Sequence, residues 1–300
     1  MDGIINVYKE KGYTSHDVVA KMRGILKMKK IGHTGTLDPD AAGVLPVCLG
    51  KGTRLCDLLT DKTKTYKAVL LLGKVTDTQD ITGAVLSESP VVTDERQVEE
   101  TILGFLGHYE QIPPMYSALK VNGKKLYELA RAGKEIERQP RPVEILAIEV
   151  NEIDLPRVTM TVSCSKGTYI RTLCHDIGRK LGCGGCMESL LRTRVDRFYL
   201  EDSLTLSQIE SFRDQGIIET YIVPVEEIFN EYPLLRIRES ADKLVHNGNP
   251  FLPEHTEGEG CLQHGWVRVY DSREQFIGIY EYDSEKKRYQ PRKIFLGMNA

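Results

Sequence analysis

The chain has no apolar run approaching the roughly 18 residues that cross a membrane as a helix. Its opening residues, MDGIINVYKEKG, lack the basic start and apolar core of a secretory signal. The seven cysteines are odd in number and show no framework spacing, which fits free thiols in a reducing compartment. Together these absences predict a soluble, cytoplasmic protein with no membrane partner. Two common ligand motifs also fail. A phosphate-cradling loop would need glycine where Leu45 stands and a hydroxyl where Gly52 follows Gly50-Lys51. A calcium loop starting at Asp38 and Asp40 would place Ala42 and Leu49 at its fifth and twelfth positions. Cys183 and Cys186 form a single CxxC without a clean second pair, although Cys174 and His175 lie upstream; they read as free thiols beside a helix stop, so no metal is expected. The chain has no internal repeat and no low-complexity segment.

What is present suits a sizeable core. Three hundred residues, 41% of them hydrophobic, allow one large domain and a small one. The net charge of −3 hides a strong segregation: residues 1–74 carry 13 Lys+Arg against 7 Asp+Glu, and residues 157–197 carry 8 against 3. Residues 75–109 and 198–240 are each acidic, at −6. Basic segments of this kind provide an electrostatic footprint for phosphates, although charge alone also fits solvated helix faces.

Along the chain, residues 4–8 read as a short strand, and Ser15 as the cap of a helix whose face carries Val18, Val19, Met22, Ile25 and Leu26. Residues 66–72 read as a buried strand. Asp94 caps a helix running to residue 105, with Gly107 past its end. Asn122-Gly123 signals a hairpin turn, followed by a basic helix over residues 124–132 that stops at Gly133. Residues 143–153 and 158–164 look like antiparallel partners, and residues 169–181 like a helix ending at Gly182. Another helix holds Leu206, Ile209 and Phe212. Ser240 caps a short helix to residue 246, residues 258–260 read as loop, and strands follow near residues 266–270, 276–282 and 289–295. Strands with interspersed helices and no regular βαβ units argue for an α+β fold with a largely antiparallel sheet. The texture changes near residue 235, giving expected domains of 1–235 and 236–300.

The most informative stretch covers residues 32–50, GHTGTLDPDAAGVLPVCLG. It reads as a loop that holds one carboxylate, Asp38, among glycines and Pro39, a composition that fixes backbone around an acid. The stretch resembles motif II of the TruB family of pseudouridine synthases, Gly-x-x-Gly-x-Leu-Asp-Pro-x-Ala-x-Gly-x-Leu. Further blocks fall in the family's order: KTYK at residues 64–67, TDTQD at 76–80, IPPMYSALKVNGKKLYELAR at 112–131, CSKGTYIRTL at 164–173 and LLRTR at 190–194.

That resemblance implies a pseudouridine synthase catalytic domain, an RNA-contacting hairpin and helix near residues 110–141, and a compact C-terminal β-barrel of the PUA type. It implies isomerisation of a uridine, at position 55 in the T loop of tRNA, by an enzyme that needs neither cofactor nor guide RNA and acts as a monomer on the T and acceptor arms. Asp38 would act as nucleophile or base, with Arg171 paired to it. His33 would fill the space left by the flipped base, Tyr66 would stack on the uracil, Tyr169 would hydrogen-bond near Asp38 and Arg171, and Leu190 would line the pocket floor. Lys64, Lys120, Lys124, Lys125, Arg131 and Arg141 are candidate phosphate contacts. Taken alone, His33 would read as a satisfied loop histidine and Leu190 as core. Two other readings stay open: a guide-RNA-dependent relative, and a non-catalytic protein that binds or folds RNA.

Overall fold

The computed structural model describes residues 1–121, 123–257 and 265–296. Its largest element is a ten-stranded sheet. Eight strands run across it in the order Ile222–Val223, Gly3–Lys9, Ala42–Leu49, Gly185–Val195, Lys64–Leu72, Arg157–Cys164, Arg141–Asp154 and Gly107–Gln111; Ile31–His33 and Phe198–Tyr199 pair onto this path. Every pairing is antiparallel except one, where Leu191 and Arg192 run parallel to Ala42 and Gly43. The fold is α+β, as the chain's pattern of strands and helices implied.

Alternation decides which face is buried. On Lys64–Leu72 the even-numbered residues Tyr66, Ala68, Leu70 and Leu72 enter a core with Val158, Met160 and Val162 of the neighbouring strand. The helices Glu95–Leu103 and Ile170–Lys180 cover that core with Val98, Ile102, Leu173 and Ile177. Gly178 lets the second helix lie directly on the strand beside it: a Cβ there would sit 2.2 Å from the Gly185 nitrogen. At the other end of the sheet, Ser15–Leu26 and Leu206–Asp214 pack on Ile5, Val7, Leu45, Val47 and Leu49.

Several boundaries differ from expectation. The cap of the first helix is Thr14, whose side chain and that of Asp17 bond each other's backbone N–H, leaving the Ser15 hydroxyl for another partner. The helix capped by Asp94 ends at Leu103, with Gly104 as its cap. The short helix near residue 242 begins after a 3-10 turn, Glu239–Ala241, that contains Ser240. Of the expected loop 32–50, residues 34–41 lie outside strands and Gly50 opens a 3-10 turn; Gly43 and Pro46, which look like loop formers, sit within Ala42–Leu49. The strand Gly185–Val195 was not expected at all, because register shifts near Glu188 and Thr193 break its period of two. The hairpin forms between Lys120–Val121 and Lys124–Lys125, with Asn122 outside the described residues, as is the expected loop at 258–260.

A second sheet of four strands follows. Leu234–Arg236 runs parallel to Trp266–Tyr270, and Phe276–Asp283 and Arg288–Ile294 continue it antiparallel. It has its own core around Leu235, Phe251, Val267, Tyr280 and Tyr289. It also shares a core with the large sheet, where Ile279 and Phe295 join Ile4, Val44, Cys48 and Phe229. Phe229 is the hub, with ring centroids 5.8 Å from Phe295 and 6.2 Å from both Tyr232 and Phe276. Lys293 adds a clip by donating to the Arg54 carbonyl at 2.8 Å.

Phe229→Ala should therefore cost about 3–5 kcal/mol, the range for a buried aromatic whose site cannot collapse. Urea unfolding followed by Trp266 fluorescence measures it. A loss below about 1 kcal/mol would show that the two sheets do not depend on this core.

Candidate active site

Asp38 sits at the turn of a hairpin. Ile31–His33 pairs with Ala42–Leu49, and residues 34–41 close the turn. The turn is held from three sides. The Ser15 hydroxyl accepts from Leu37 N–H at 2.9 Å and donates to the Leu37 carbonyl at 3.3 Å. The Pro39 carbonyl accepts from Gly12 N–H at 2.8 Å and from Lys9 Nζ at 3.1 Å. Beneath lies Arg192, 1% exposed, whose Nε donates to the Val44 carbonyl at 2.7 Å while its terminal nitrogens lie 3.5 Å from the Gly35 and Thr36 carbonyls. Gly43 permits that approach: at φ +112°, a Cβ would meet the Arg192 carbonyl oxygen at 2.2 Å.

Arg171 faces the carboxylate from the first turn of Ile170–Lys180. Its Nε lies 2.9 Å from Asp38 Oδ2 and its Nη2 3.4 Å from Oδ1. The same guanidinium donates to the Thr78 carbonyl at 3.0 Å and the Tyr116 carbonyl at 2.8 Å, with Asp80 Oδ2 3.8 Å away. The Arg171 side chain is 5% exposed and that of Asp38 40%. A buried, fully bonded cation thus presents a carboxylate that stays open to a ligand, which is what nucleophilic or base chemistry requires. The turn at residues 76–82 supports this arrangement. Asp80 Oδ1 accepts from the hydroxyls of Thr78 and Thr82, and Gln79 adopts a left-handed φ of 64°.

Comparison with known sequences decides the family. Residues 23–170 match the family described as TruB family pseudouridylate synthase (N terminal domain), and residues 171–230 match the tRNA pseudouridylate synthase B C-terminal domain. The chain is 54% identical to the tRNA pseudouridine synthase B of Lachnoclostridium phytofermentans, covering 99% of this chain and all of that one. The chain belongs to the TruB family. The corresponding protein of Alkaliphilus oremlandii is 48% identical over 96% of this chain and all of its own length. Among solved structures, a Cbf5-Nop10-Gar1 complex gives a TM-score of 0.72 at 29% identity, covering 98% of this chain and 85% of that one. An H/ACA RNP bound to a substrate RNA containing 2′-deoxyuridine gives 0.72 at 26%, covering 99% and 86%. The junction between the two TruB segments falls between Ile170 and Arg171, so the Asp38–Arg171 pair joins one segment to the other.

The remaining residues singled out by the TruB resemblance fall in different places. Tyr66 is 8% exposed and packs in one cluster with Leu37, Ala41 and Leu190; burial raises its phenol pKa, opposed by the charge of Arg192. Tyr169 is the residue before the Arg171 helix. Burial raises its phenol pKa too, and Arg171 and Asp38 act on it with opposite signs, but its hydroxyl hydrogen-bonds neither. His33 is half-buried, accepts from Gly35 N–H at 3.3 Å and meets His16 edge-to-face at 5.2 Å. Burial, followed by the charges of His16 and Arg192, lowers its pKa to about 4.

Lys120, Lys124, Arg131 and Arg141 are exposed on the hairpin, on the helix Leu126–Arg131 and at the start of Arg141–Asp154. Lys125 is half-buried and, with Arg131, lies over the Tyr127 ring at 5.4 Å. Lys64 is different. Its Nζ is buried and donates at 2.6 Å to the carbonyls of Thr60 and Lys62, and burial lowers its pKa to about 8. A committed ammonium of this kind does not reach a phosphate.

From sequence, Ser15 reads only as a helix cap, Asp80 and Arg192 only as members of their motif blocks, and Lys9 carries no role. Lys9 is fully buried, and its Nζ also donates to the carbonyls of Tyr13 and Glu10. Burial lowers its pKa to about 8, with Asp38 partly opposing the shift. A lysine closing a largely apolar strand was the available signal. Cys174 and Cys186 are buried thiols; burial pushes Cys186 up to about 11 and Cys174 higher still.

The depressed His33 pKa gives stability a signed pH dependence. Its folded value, about 4, lies below the unfolded value near 6.5, so the unfolded chain binds the extra proton between them. The stability from a neutral His33 is complete above about pH 6.5 and lost as pH falls toward 4. His33→Asn should therefore lose less stability than wild type across that interval, measured by urea midpoints. Parallel curves for the two proteins would contradict the assignment.

Proposed function

We propose that the protein isomerises a uridine of tRNA to pseudouridine, that the target is position 55 in the T loop, and that Asp38 acts on the nucleotide as nucleophile or base. The observation that carries this reading is a half-open carboxylate fixed on a closed turn and paired to a buried arginine. Binding RNA alone would not need one. In the reaction the C1′–N1 bond breaks, the uracil turns, and C5 joins C1′; the proton lost from C5 is matched by one gained at N1. No electrons or atoms enter, and the chemistry draws on positioned acid and base groups.

The base must leave the helical stack before it reaches Asp38. A neutral His33, at the rim of the Asp38 turn, is suited to fill the vacated space without needing a counter-ion. Tyr66 offers the stacking face, with Leu190 beneath it, and Tyr169 borders the same centre. Phosphate contacts come from Lys120, Lys124 and Lys125 of the hairpin, which is rooted next to the Tyr116 carbonyl that Arg171 holds, and from Arg131 and Arg141 further along the chain. The small C-terminal sheet, read as a PUA-like domain over residues 236–300, would take the acceptor arm, and the enzyme would work as a monomer. Full-length relatives named for tRNA support a stand-alone enzyme, while the solved neighbours come from guide-RNA particles, so the decisive assay omits guide RNA.

Wild-type protein should convert a tRNA transcript without guide RNA, metal or cofactor. Asp38→Asn should lower the single-turnover rate by at least about 10³-fold, while tRNA affinity stays within about threefold. Arg171→Lys should also bind and react slowly, because an ammonium cannot hold a carboxylate and two carbonyls in one plane. Near-normal turnover by a folded Asp38→Asn protein would sink the catalytic assignment. Conversion by wild type only with added guide RNA would favour the guide-dependent reading.

A further inference from the structure

Gln111 ends the strand Gly107–Gln111 and is 1% exposed. Its side-chain amide faces the backbone of one residue edge-on, bonding both its N–H and its carbonyl. Tyr169 N–H donates to Gln111 Oε1 at 2.8 Å, and Gln111 Nε2 donates to the Tyr169 carbonyl at 3.0 Å. Tyr169 is the cap of the helix Ile170–Lys180, and that helix has no side-chain cap of its own. In a capping box, the third helical residue would accept from the cap N–H. Here that residue is Thr172, whose hydroxyl instead donates to Gln79 Oε1 at 2.7 Å. A glutamine 58 residues upstream takes the part of that third side chain, accepting from the cap N–H.

The two residues fixed by this arrangement are those that border the Asp38 centre. Tyr169 is held directly, and Arg171 rides on the first helical turn. The chain leaving Gln111 then runs to Tyr116, whose carbonyl Arg171 also grips. We infer that Gln111 is a positioning residue for the isomerisation, acting by clamping the Tyr169 backbone so that Tyr169 and Arg171 meet the nucleotide in register with Asp38. This rests on the reading of Asp38 as the catalytic carboxylate.

The clamp needs one donor and one acceptor, which a carboxylate lacks but a protonated carboxylic acid has. Gln111→Glu keeps the shape and makes the clamp depend on that proton. The charged and titratable groups around it are Tyr109 with its partner Asp176, Arg141 opposite Gln111 in the sheet, and Arg171 and Asp38 beyond Tyr169. All are shared with wild type, so the ratio of variant to wild-type rate isolates position 111. With tRNA transcripts, that ratio should be down about tenfold or more near pH 8, the size expected when a buried hydrogen bond becomes a repulsion. It should recover several-fold near pH 5.5, as burial favours the neutral acid. Gln111→Leu, which fills the space without bonding, should be slow at both pH values.

A Gln111→Glu ratio that is near one, or low but flat with pH, overturns the inference. Should the glutamate variant fail to fold, Gln111→Asn carries the test: one methylene shorter, it should lower kcat about tenfold at unchanged KM. Full kcat in that folded variant also overturns the inference. Failure of wild type to form pseudouridine at all would instead defeat the catalytic reading itself.

Discussion

A guanidinium removed from water must find acceptors for its N–H groups, and Arg171 finds them on three separate stretches of chain. Asp38, Thr78 and Tyr116 belong to a hairpin turn, a tight turn after a strand, and the approach to the basic hairpin. Losing one of them would leave an N–H of a buried cation unsatisfied, at a cost of about 1–3 kcal/mol. The three segments are thus interdependent, and the aspartate cannot be moved without disturbing the others. That dependence turns a solvent-facing carboxylate into one with a defined direction.

Beneath it the charge balance is unusual. Lys9 and Arg192 are both buried, and both bind backbone carbonyls; among the described residues neither forms a salt bridge. Burial of cations is costly, and the carbonyl dipoles only partly offset it. The cost is consistent with a site whose ligand is polyanionic: positive potential beneath the Asp38 turn favours the approach of a phosphate chain. His33 and Tyr66 feel the same field, since Arg192 acts on both.

Much of the architecture was legible in the residues. Val158, Met160 and Val162 announced their strand by strict alternation, and the apolar stripe from Val18 to Leu26 announced its helix. The Asp38 turn was legible because Gly-x-Leu-Asp-Pro leaves little conformational choice. What escaped did so for physical reasons. Two register shifts hide Gly185–Val195, since a residue added to one strand breaks the period of two that marks it. Thr14 and Ser15 are equivalent candidates for a cap until tertiary structure recruits the Ser15 hydroxyl for Leu37. Lys64 looks like any basic residue of a strand until its ammonium turns inward to Thr60 and Lys62. Gln111 carries no sequence signal, because its partner is backbone and not a side chain.

The position of Gly185–Val195 has a consequence for how the molecule is made. Ala42–Leu49 and Lys64–Leu72 are near neighbours along the chain, yet in the sheet that late strand lies between them. Contacts of such long sequence separation form slowly, because the entropy of closing the intervening chain comes before any contact rewards it. As the polypeptide emerges from the ribosome, the two early strands wait with facing edges unpaired until residue 195 has been added. Arg192 arrives in the same step and props the Asp38 turn from below. Assembly of the sheet and completion of the reactive centre are therefore one event, and a chain arrested before that strand would possess the aspartate without the scaffold that aims it.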